Sequence, residues 1–349
     1  MSIFAIKSKL KITCNFIDKK IENKFLIHEQ FITMKFQLEF NQKTLSIPIN
    51  KADNLFCIGS CFAENIAKKL ELFQFKITQN PNGIVFNPSS IFKQLNVIVS
   101  NNNLISNQLV ENDGLWHSMN HHGSFSGSDK QQVLNEINKS TENAHQAILK
   151  TDYLLITLGS AWAYQYLNTN EIVANNHKLD GKLFNKILLD INLLNQEFES
   201  LYAILKNVNP KIKIIFSVSP VRYVRDGLHE NNISKAVLHQ LVFNILKKHK
   251  NDCFYFPAYE IVIDELRDYR FYKEDLVHPN QLAIDYVWQK FVENCFEKDS
   301  KIFIAEFEKY LLLKNHKPLH TDSFSYKKYE KQLVNLQKDL KEKYPFLIL

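Results

Sequence analysis

Glycine is scarce in this chain, with 8 among 349 residues, beside 9 prolines and 5 cysteines. So little glycine and proline excludes collagen-like and low-complexity designs. It also makes each glycine a place where the backbone has a specific need. Cysteines at 14, 57, 61, 253 and 295 are odd in number and make a poor disulfide framework. Cys57 and Cys253 fall inside apolar runs and read as small buried residues, the usage of a reducing compartment, so a cytoplasmic location is expected. No apolar run approaches the roughly 18–20 residues that span a bilayer. The N-terminal stretch MSIFAIKSKLKITCNFIDKK is interrupted by lysines where a signal peptide would be continuous. A cluster of one charge is missing too: the formal charge of +6 comes from scattered lysines, so no nucleic-acid partner is expected.

What is present is 45% hydrophobic residues, enough for a full core. Residues 1–34 show no clear period and read as a poorly ordered extension, or as sequence upstream of a true start at Met34. The following MKFQLEFNQKTLSIPI reads as two short strands around Asn41-Gln42. From about residue 52, short apolar runs alternate with longer helical ones. Strands are predicted at Leu55–Ile58, Phe75–Thr78, Tyr153–Leu158, Ile212–Val218 and Cys253–Phe256, nearly continuous in apolar residues as strands covered on both faces should be. Phe62, Ile66, Leu70 and Phe73 make one helical stripe, and Asn87-Pro88 opens another helix as cap and first residue. Further helices are predicted over about 128–150, 181–208, 233–249 and 280–297. This alternation predicts a three-layer α/β/α, doubly wound fold on a mainly five-stranded parallel sheet. The domain would span 35–298, with a helical C-terminal extension over 299–349. Residues 100–127 and 222–234 interrupt the rhythm and are long enough to be binding loops or lids.

Residues 55–65, LFCIGSCFAEN, pass from an apolar strand into a helix through Gly59-Ser60-Cys61. In an open parallel sheet, ligands collect beyond the carboxyl ends of the strands. A hydroxyl at that junction meets the unpaired N–H groups and positive end of the helix, which suit a developing oxyanion. Ser60 is therefore a candidate nucleophile, and equally a simple N-cap. Cys61 beside it is an alternative nucleophile, its side chain directed away from that of Ser60. A base is available in YKEDLVHPNQLAI, where Asp275 and His278 stand three apart before a Pro-Asn helix start. On a turn, that spacing lets the carboxylate accept from imidazole Nδ1–H while Nε2 faces outward.

The stretch GSCFAE resembles the signature of the GSCFA domain family, a branch of the SGNH (GDSL-like) hydrolases. NPNGIVFNP at 80–88, TLGSAWAY at 157–164, SPVR at 219–222, RDGLHENNISKA at 225–236 and FPAYEIVIDELRDYRFYKEDLVHPN at 256–280 are similar to that family as well. The resemblance covers about residues 35–300. It implies an SGNH-hydrolase fold with Ser60 as nucleophile, His278 as general base and Asp275 as its orienter. It also implies Gly83 as a backbone donor to the oxyanion hole. One block departs: where SGNH enzymes carry Gly-x-Asn, this chain has Gly159-Ser160-Ala161, and alanine has no amide to donate. Losing one such donor typically costs about 100- to 1,000-fold in rate. Asn82, Asn87, Ser160 and His122 are candidate replacements.

Trp116, His117, His121 and His122 lie close together, with His177 further on. Their spacing fits no common zinc pattern, so they are candidates for substrate contacts from a lid, and no metal or other cofactor is expected. Arg222 and Arg225 could hold an anionic substrate group, or pair with Asp226 or Glu230. The function these residues suggest is a serine esterase acting on a small acyl ester, such as an O-acetyl group on a carbohydrate. An O-acyltransferase with the same triad and a non-catalytic glycan- or peptide-binding module are the alternatives. A small-molecule or glycan ester is the expected partner, with no membrane span.

Overall fold

The computed structural model describes residues 38–39, 45, 48–316 and 323–349. The expected extension over 1–34 and the turn at Asn41-Gln42 lie outside the described residues.

In chain order, β1 (Asn54–Gly59) leads to α1 (Cys61–Leu72), β2 (Lys76–Gln79) and α2 (Pro88–Ser100). The hairpin β3 (Leu109–Asn112) and β4 (Leu115–Ser118) precedes α3 (Lys130–Ile148) and β5 (Tyr153–Leu158). Then come β6 (Trp162–Tyr166), β7 (Glu171–Val173), β8 (Phe184–Leu188), α4 (Ile191–Val208) and β9 (Lys213–Val218). The chain continues through α5 (Leu228–Lys248), β10 (Cys253–Tyr255), the short α6 (Ala258–Glu260), α7 (Gln281–Cys295), α8 (Lys298–Asn315) and α9 (Phe324–Lys343).

Five of the strands form one parallel sheet in the order β10-β9-β5-β1-β2. These are the five predicted from the apolar runs, with ends moved by a residue or two. Alternation along them feeds two apolar clusters. Leu55, Cys57, Leu155 and Ile215 join Phe62, Ile66 and Leu70 of α1 with Trp288 and Phe291 of α7. Phe56, Ile58, Leu154, Ile156, Ile214 and Phe216 join Phe92 of α2, Phe198 of α4 and Leu238 and Leu241 of α5. Helices thus cover both faces, the three-layer arrangement expected. The chain runs outward from β1 to β2, then crosses back to β5 and proceeds the other way. The carboxyl ends of β1 and β5 therefore flank the point where strand order reverses, where an open α/β sheet has its crevice.

Local chemistry sets the helix starts. Asn87 accepts from Ser90 N at 2.8 Å ahead of Pro88, and Asn280 accepts from Ala283 N at 3.1 Å ahead of α7. The expected helix over 181–208 is only partly formed. Asp190 caps α4 by accepting from Asn192 N at 2.9 Å and Leu193 N at 3.0 Å, so the helix begins there. Residues before it form β8, which pairs with β6 in a small antiparallel sheet, β7-β6-β8, absent from the sequence reading. Residues 100–127 hold the β3–β4 hairpin, and α5 starts at Leu228, five residues earlier than expected. In α8, Phe303 and Phe307 pack on Phe75 and Phe73, with ring centroids 6.3 and 6.0 Å apart. No helix among the described residues is long and apolar enough to cross a membrane.

Candidate active site

A cavity of about 640 Å³ opens beyond the carboxyl ends of β1, β5 and β9, and Cys61, Asn87, Ser160, Tyr223, Asp275 and His278 are among its walls. Gly59 makes the junction beneath it possible. Its φ is +141°, and a Cβ there would lie 2.3 Å from the carbonyl oxygen of Thr157 on β5. The backbones of β1 and β5 therefore meet closely, Ser60 N donating to that oxygen at 3.2 Å and Gly59 N to Asn80 Oδ1 at 2.9 Å.

From this junction two neighbouring side chains part. Ser60 has an extended backbone and is fully buried; its Oγ makes no cap bond and has no hydrogen-bond partner. It is not among the cavity's walls. Cys61, the first residue of α1, is half-buried and lines the cavity that His278 and Asp275 also line. Burial pushes the Cys61 thiol pKa up, while the N–H groups of Phe62 and Cys61 at the helix start pull it partly back. The Ser60 hydroxyl is thus buried and unpartnered beneath the cavity, while the Cys61 side chain faces it. Among the described residues, no hydrogen bond joins Cys61 Sγ or Ser60 Oγ to His278.

Asp275 and His278 meet as their spacing suggested. Asp275 Oδ2 and His278 Nδ1 are 2.7 Å apart, and Asp275 Oδ1 accepts from the backbone N–H of Val277 and of His278, both at 2.9 Å. Leu276 takes a positive φ of +58° to close this turn. Hydrogen bonds from the two N–H groups and from the imidazole hold the Asp275 carboxyl down to about 2. The carboxylate favours the Nδ1–H tautomer and leaves Nε2 as the acceptor.

A family model described as the GSCFA family matches residues 54–291. The chain belongs to the GSCFA family. No curated protein matches it. Among solved structures, an acetyl xylan esterase from the rumen bacterium Butyrivibrio proteoclasticus is similar at 9% identity and a TM-score of 0.36. That match covers 71% of this chain, which spans 64% of the esterase's length.

The oxyanion-hole candidates of this GSCFA protein separate clearly. Gly83 N donates to Asn80 O at 2.8 Å, so its N–H is spent inside a turn and Gly83 is not a cavity wall. Its glycine requirement is steric: φ is +76°, and a Cβ would lie 2.2 Å from that of His122. Asn82 lines a different cavity together with His121. Ala161 is fully buried, its N–H given to Ser234 Oγ at 2.7 Å. Ser160 does reach the main cavity, but its N–H goes to Phe86 O at 3.3 Å and its Oγ accepts from Trp162 N at 3.1 Å. Asn87 lines the cavity with its Nδ2 only in a 3.5 Å contact with Val173 O, the most available amide of the set.

Trp116, His117, His122 and His177 do not line the cavity either. The 100–127 segment packs on itself and on residues 174–177. His117 Nδ1 bonds Ser126 Oγ at 2.6 Å and its ring stacks on His177, centroids 4.6 Å apart. His177 Nε2 donates to Ser118 O at 2.8 Å. His122 engages Ser124, Trp116 carries Lys130 Nζ 4.2 Å above its ring, and His121 is buried enough for its pKa to fall to about 4. Arg222 does line the cavity, as does Arg225.

Sequence reasoning missed two groups near the carboxyl edge of the sheet, one in the cavity wall and one buried behind it. Tyr223 is a wall residue whose ring lies against Phe86 at 5.2 Å. Buried Lys235, within the quoted ISKA, gives Nζ–H bonds to Gly159 O at 2.6 Å and Ser219 O at 2.7 Å, tying together the exits of β5 and β9. Burial draws its pKa from 10.5 down to about 7. The folded chain therefore holds this proton less tightly than the unfolded one. The cost of the buried charge stands in full below pH 7 and is relieved as pH rises toward 10.5. Urea denaturation should find wild type gaining on Lys235→Met across that window, at no more than about 1.4 kcal/mol per pH unit.

Proposed function

We propose that this protein hydrolyses acyl esters of small size through a covalent intermediate on Cys61, with His278 as base and Asp275 as its orienter. The observation that carries this reading is one cavity bounded by the thiol at the α1 N-terminus and by the hydrogen-bonded Asp275–His278 pair. Burial keeps the resting thiol protonated, so deprotonation accompanies attack. His278 Nε2 takes the thiol proton as the sulfur bonds to the ester carbonyl. The carbonyl is restored as the C–O bond to the alcohol breaks, and His278 returns the proton to the leaving alkoxide. Water then attacks the thioester, His278 accepting its proton and giving it to the departing thiolate. Passing the acyl group to an acceptor hydroxyl instead would make the same site a transferase. The first-turn N–H groups of α1 and the Asn87 amide are the donors available to the oxyanion.

Ser60 is the second reading, favoured by a hydroxyl that no hydrogen bond holds in place. Acid quench during turnover of 4-nitrophenyl acetate, followed by mass mapping, tests both. Acetyl on Cys61 supports the proposal; acetyl on Ser60 transfers the role, and no acetylated peptide with turnover at the buffer rate overturns it.

Asp275→Asn should keep the turn, because the side-chain oxygen still accepts from Val277 and His278. It would present an N–H to Nδ1 and select the wrong tautomer, lowering kcat by about 100- to 10,000-fold. The depressed pKa of Asp275 means the carboxylate's contribution is intact above its unfolded value near 4 and is lost only as pH falls through about 2. A pH–rate profile of wild type should therefore show no ionisation of Asp275 above about pH 4, and a loss of activity traced to this carboxylate above that pH would contradict the reading.

A further inference from the structure

The charges around the cavity do not balance. Asp226 is ion-paired to Lys186, and Asp275 is taken by His278 and two backbone N–H groups. Both carboxylates in the cavity walls are thus committed, while Arg222 and Arg225 stand in the same walls. Among the described residues neither guanidinium has an ion-pair partner, so of the two alternatives left by the sequence the pairing with Asp226 or Glu230 is not formed.

Of the two, Arg222 is the one held in place. Its guanidinium carbon lies 4.7 Å from the ring centroid of Tyr272 and 5.6 Å from that of Tyr269, and its backbone N–H donates to Val277 O at 3.4 Å. Tyr272 begins the same loop that carries the base: it bridges to Pro279, and Lys273 N donates to His278 O at 2.8 Å. A cation held over aromatic rings is attracted by their faces without using up its N–H donors. None of these N–H groups has an acceptor among the described residues. A planar fork of donors with no partner matches a carboxylate in geometry and charge.

We infer that the substrate is an acyl ester whose alcohol portion carries a carboxylate, received by Arg222 with Arg225 at the rim. The alcohol side is assigned because His278 must protonate the leaving oxygen and Arg222 is anchored to the loop of His278. This inference rests on the hydrolase reading for the reaction, though not for the anion site itself. A hydroxy acid or a uronic-acid-type sugar bearing an acyl group has the required chemistry.

Two acetyl esters differing in charge test it, 4-acetoxybenzoate and its neutral methyl ester. Wild type should prefer the charged ester by about tenfold in kcat/KM, the usual strength of a hydrogen bond to a charged group. Arg222→Gln should bring that ratio close to one, and Arg225→Gln should lower it less. Equal rates on the two esters in wild type, or a ratio that Arg222→Gln leaves unmoved, would overturn the inference.

If neither ester is turned over, the hydrolase reading fails alone, and binding decides the anion site. Saturation-transfer NMR with 4-hydroxybenzoate and 4-hydroxybenzamide needs no turnover. The carboxylate should bind wild type about tenfold more tightly than it binds Arg222→Gln, and more weakly at high salt. The amide should not distinguish the two proteins. Carboxylate binding that is absent from wild type, or insensitive to Arg222→Gln, would dismiss the anion site whatever the fate of the esters.

Discussion

Cys61→Ala should lower kcat/KM for 4-nitrophenyl acetate on the order of 10,000-fold or more, while Ser60→Ala stays within a few-fold of wild type. The magnitude follows from removing the group that forms the covalent bond, which leaves only binding and oxyanion stabilisation. The contrast follows from placement. Cys61 lines the cavity with His278, whereas Ser60 Oγ is buried, unpartnered and not part of the cavity wall. Deleting a buried hydroxyl with no partner removes no hydrogen bond, so Ser60→Ala should also be close to neutral in stability. The reverse result, with Ser60→Ala inactive and Cys61→Ala active, would move the nucleophile one residue back. Iodoacetamide protection by substrate gives an independent readout on the cysteine.

Gly59→Ala should be the most damaging single substitution to stability, at roughly 3–5 kcal/mol in urea denaturation. That is a large share of the roughly 5–15 kcal/mol a domain has in total. Two costs add there. A side chain disfavours the +141° φ, and the new Cβ would sit 2.3 Å from Thr157 O and 2.9 Å from Thr157 N. These are backbone atoms of the adjacent strand β5, fixed by register from Leu55↔Tyr153 to Gly59↔Thr157, so they cannot move aside like a flexible side chain. Gly114→Ala provides the comparison: φ is +71° but nothing lies within 4 Å of a Cβ, so only the conformational cost of about 1–2 kcal/mol applies. Similar losses in both would mean that strain alone, not the strand contact, makes Gly59 necessary.

The parallel sheet was legible because strands buried on both faces must be apolar at nearly every position, as YLLITL and KIIFSV are. The Asp275–His278 pair was legible because its partners are three residues apart and a local turn suffices to join them. β8 was not legible. In KLFNKILLD, apolar residues at 183, 184, 187 and 188 satisfy a helical period as well as a strand, and only pairing with β6 decides between them. The packing of the histidines in the 100–127 segment was not legible for a related reason. Clustered polar side chains read as ligand contacts until the hairpin that uses them is seen. Lys235 went unnoticed because a lone lysine in a helix reads as solvated, and its burial depends on two strand ends far away in sequence.

By itself, the sequence determined the five parallel strands, the glycine required at position 59 and the Asp275–His278 pair, since each is set by composition or by neighbours a few residues apart. Tertiary structure decided which of two adjacent side chains at the end of β1 looks into the cavity, and that its two arginines stand there without a carboxylate. One residue of advance from an extended backbone into a helix turns a side chain from the interior to the crevice. Charge balance around a cavity likewise depends on chain segments that meet only in the folded state.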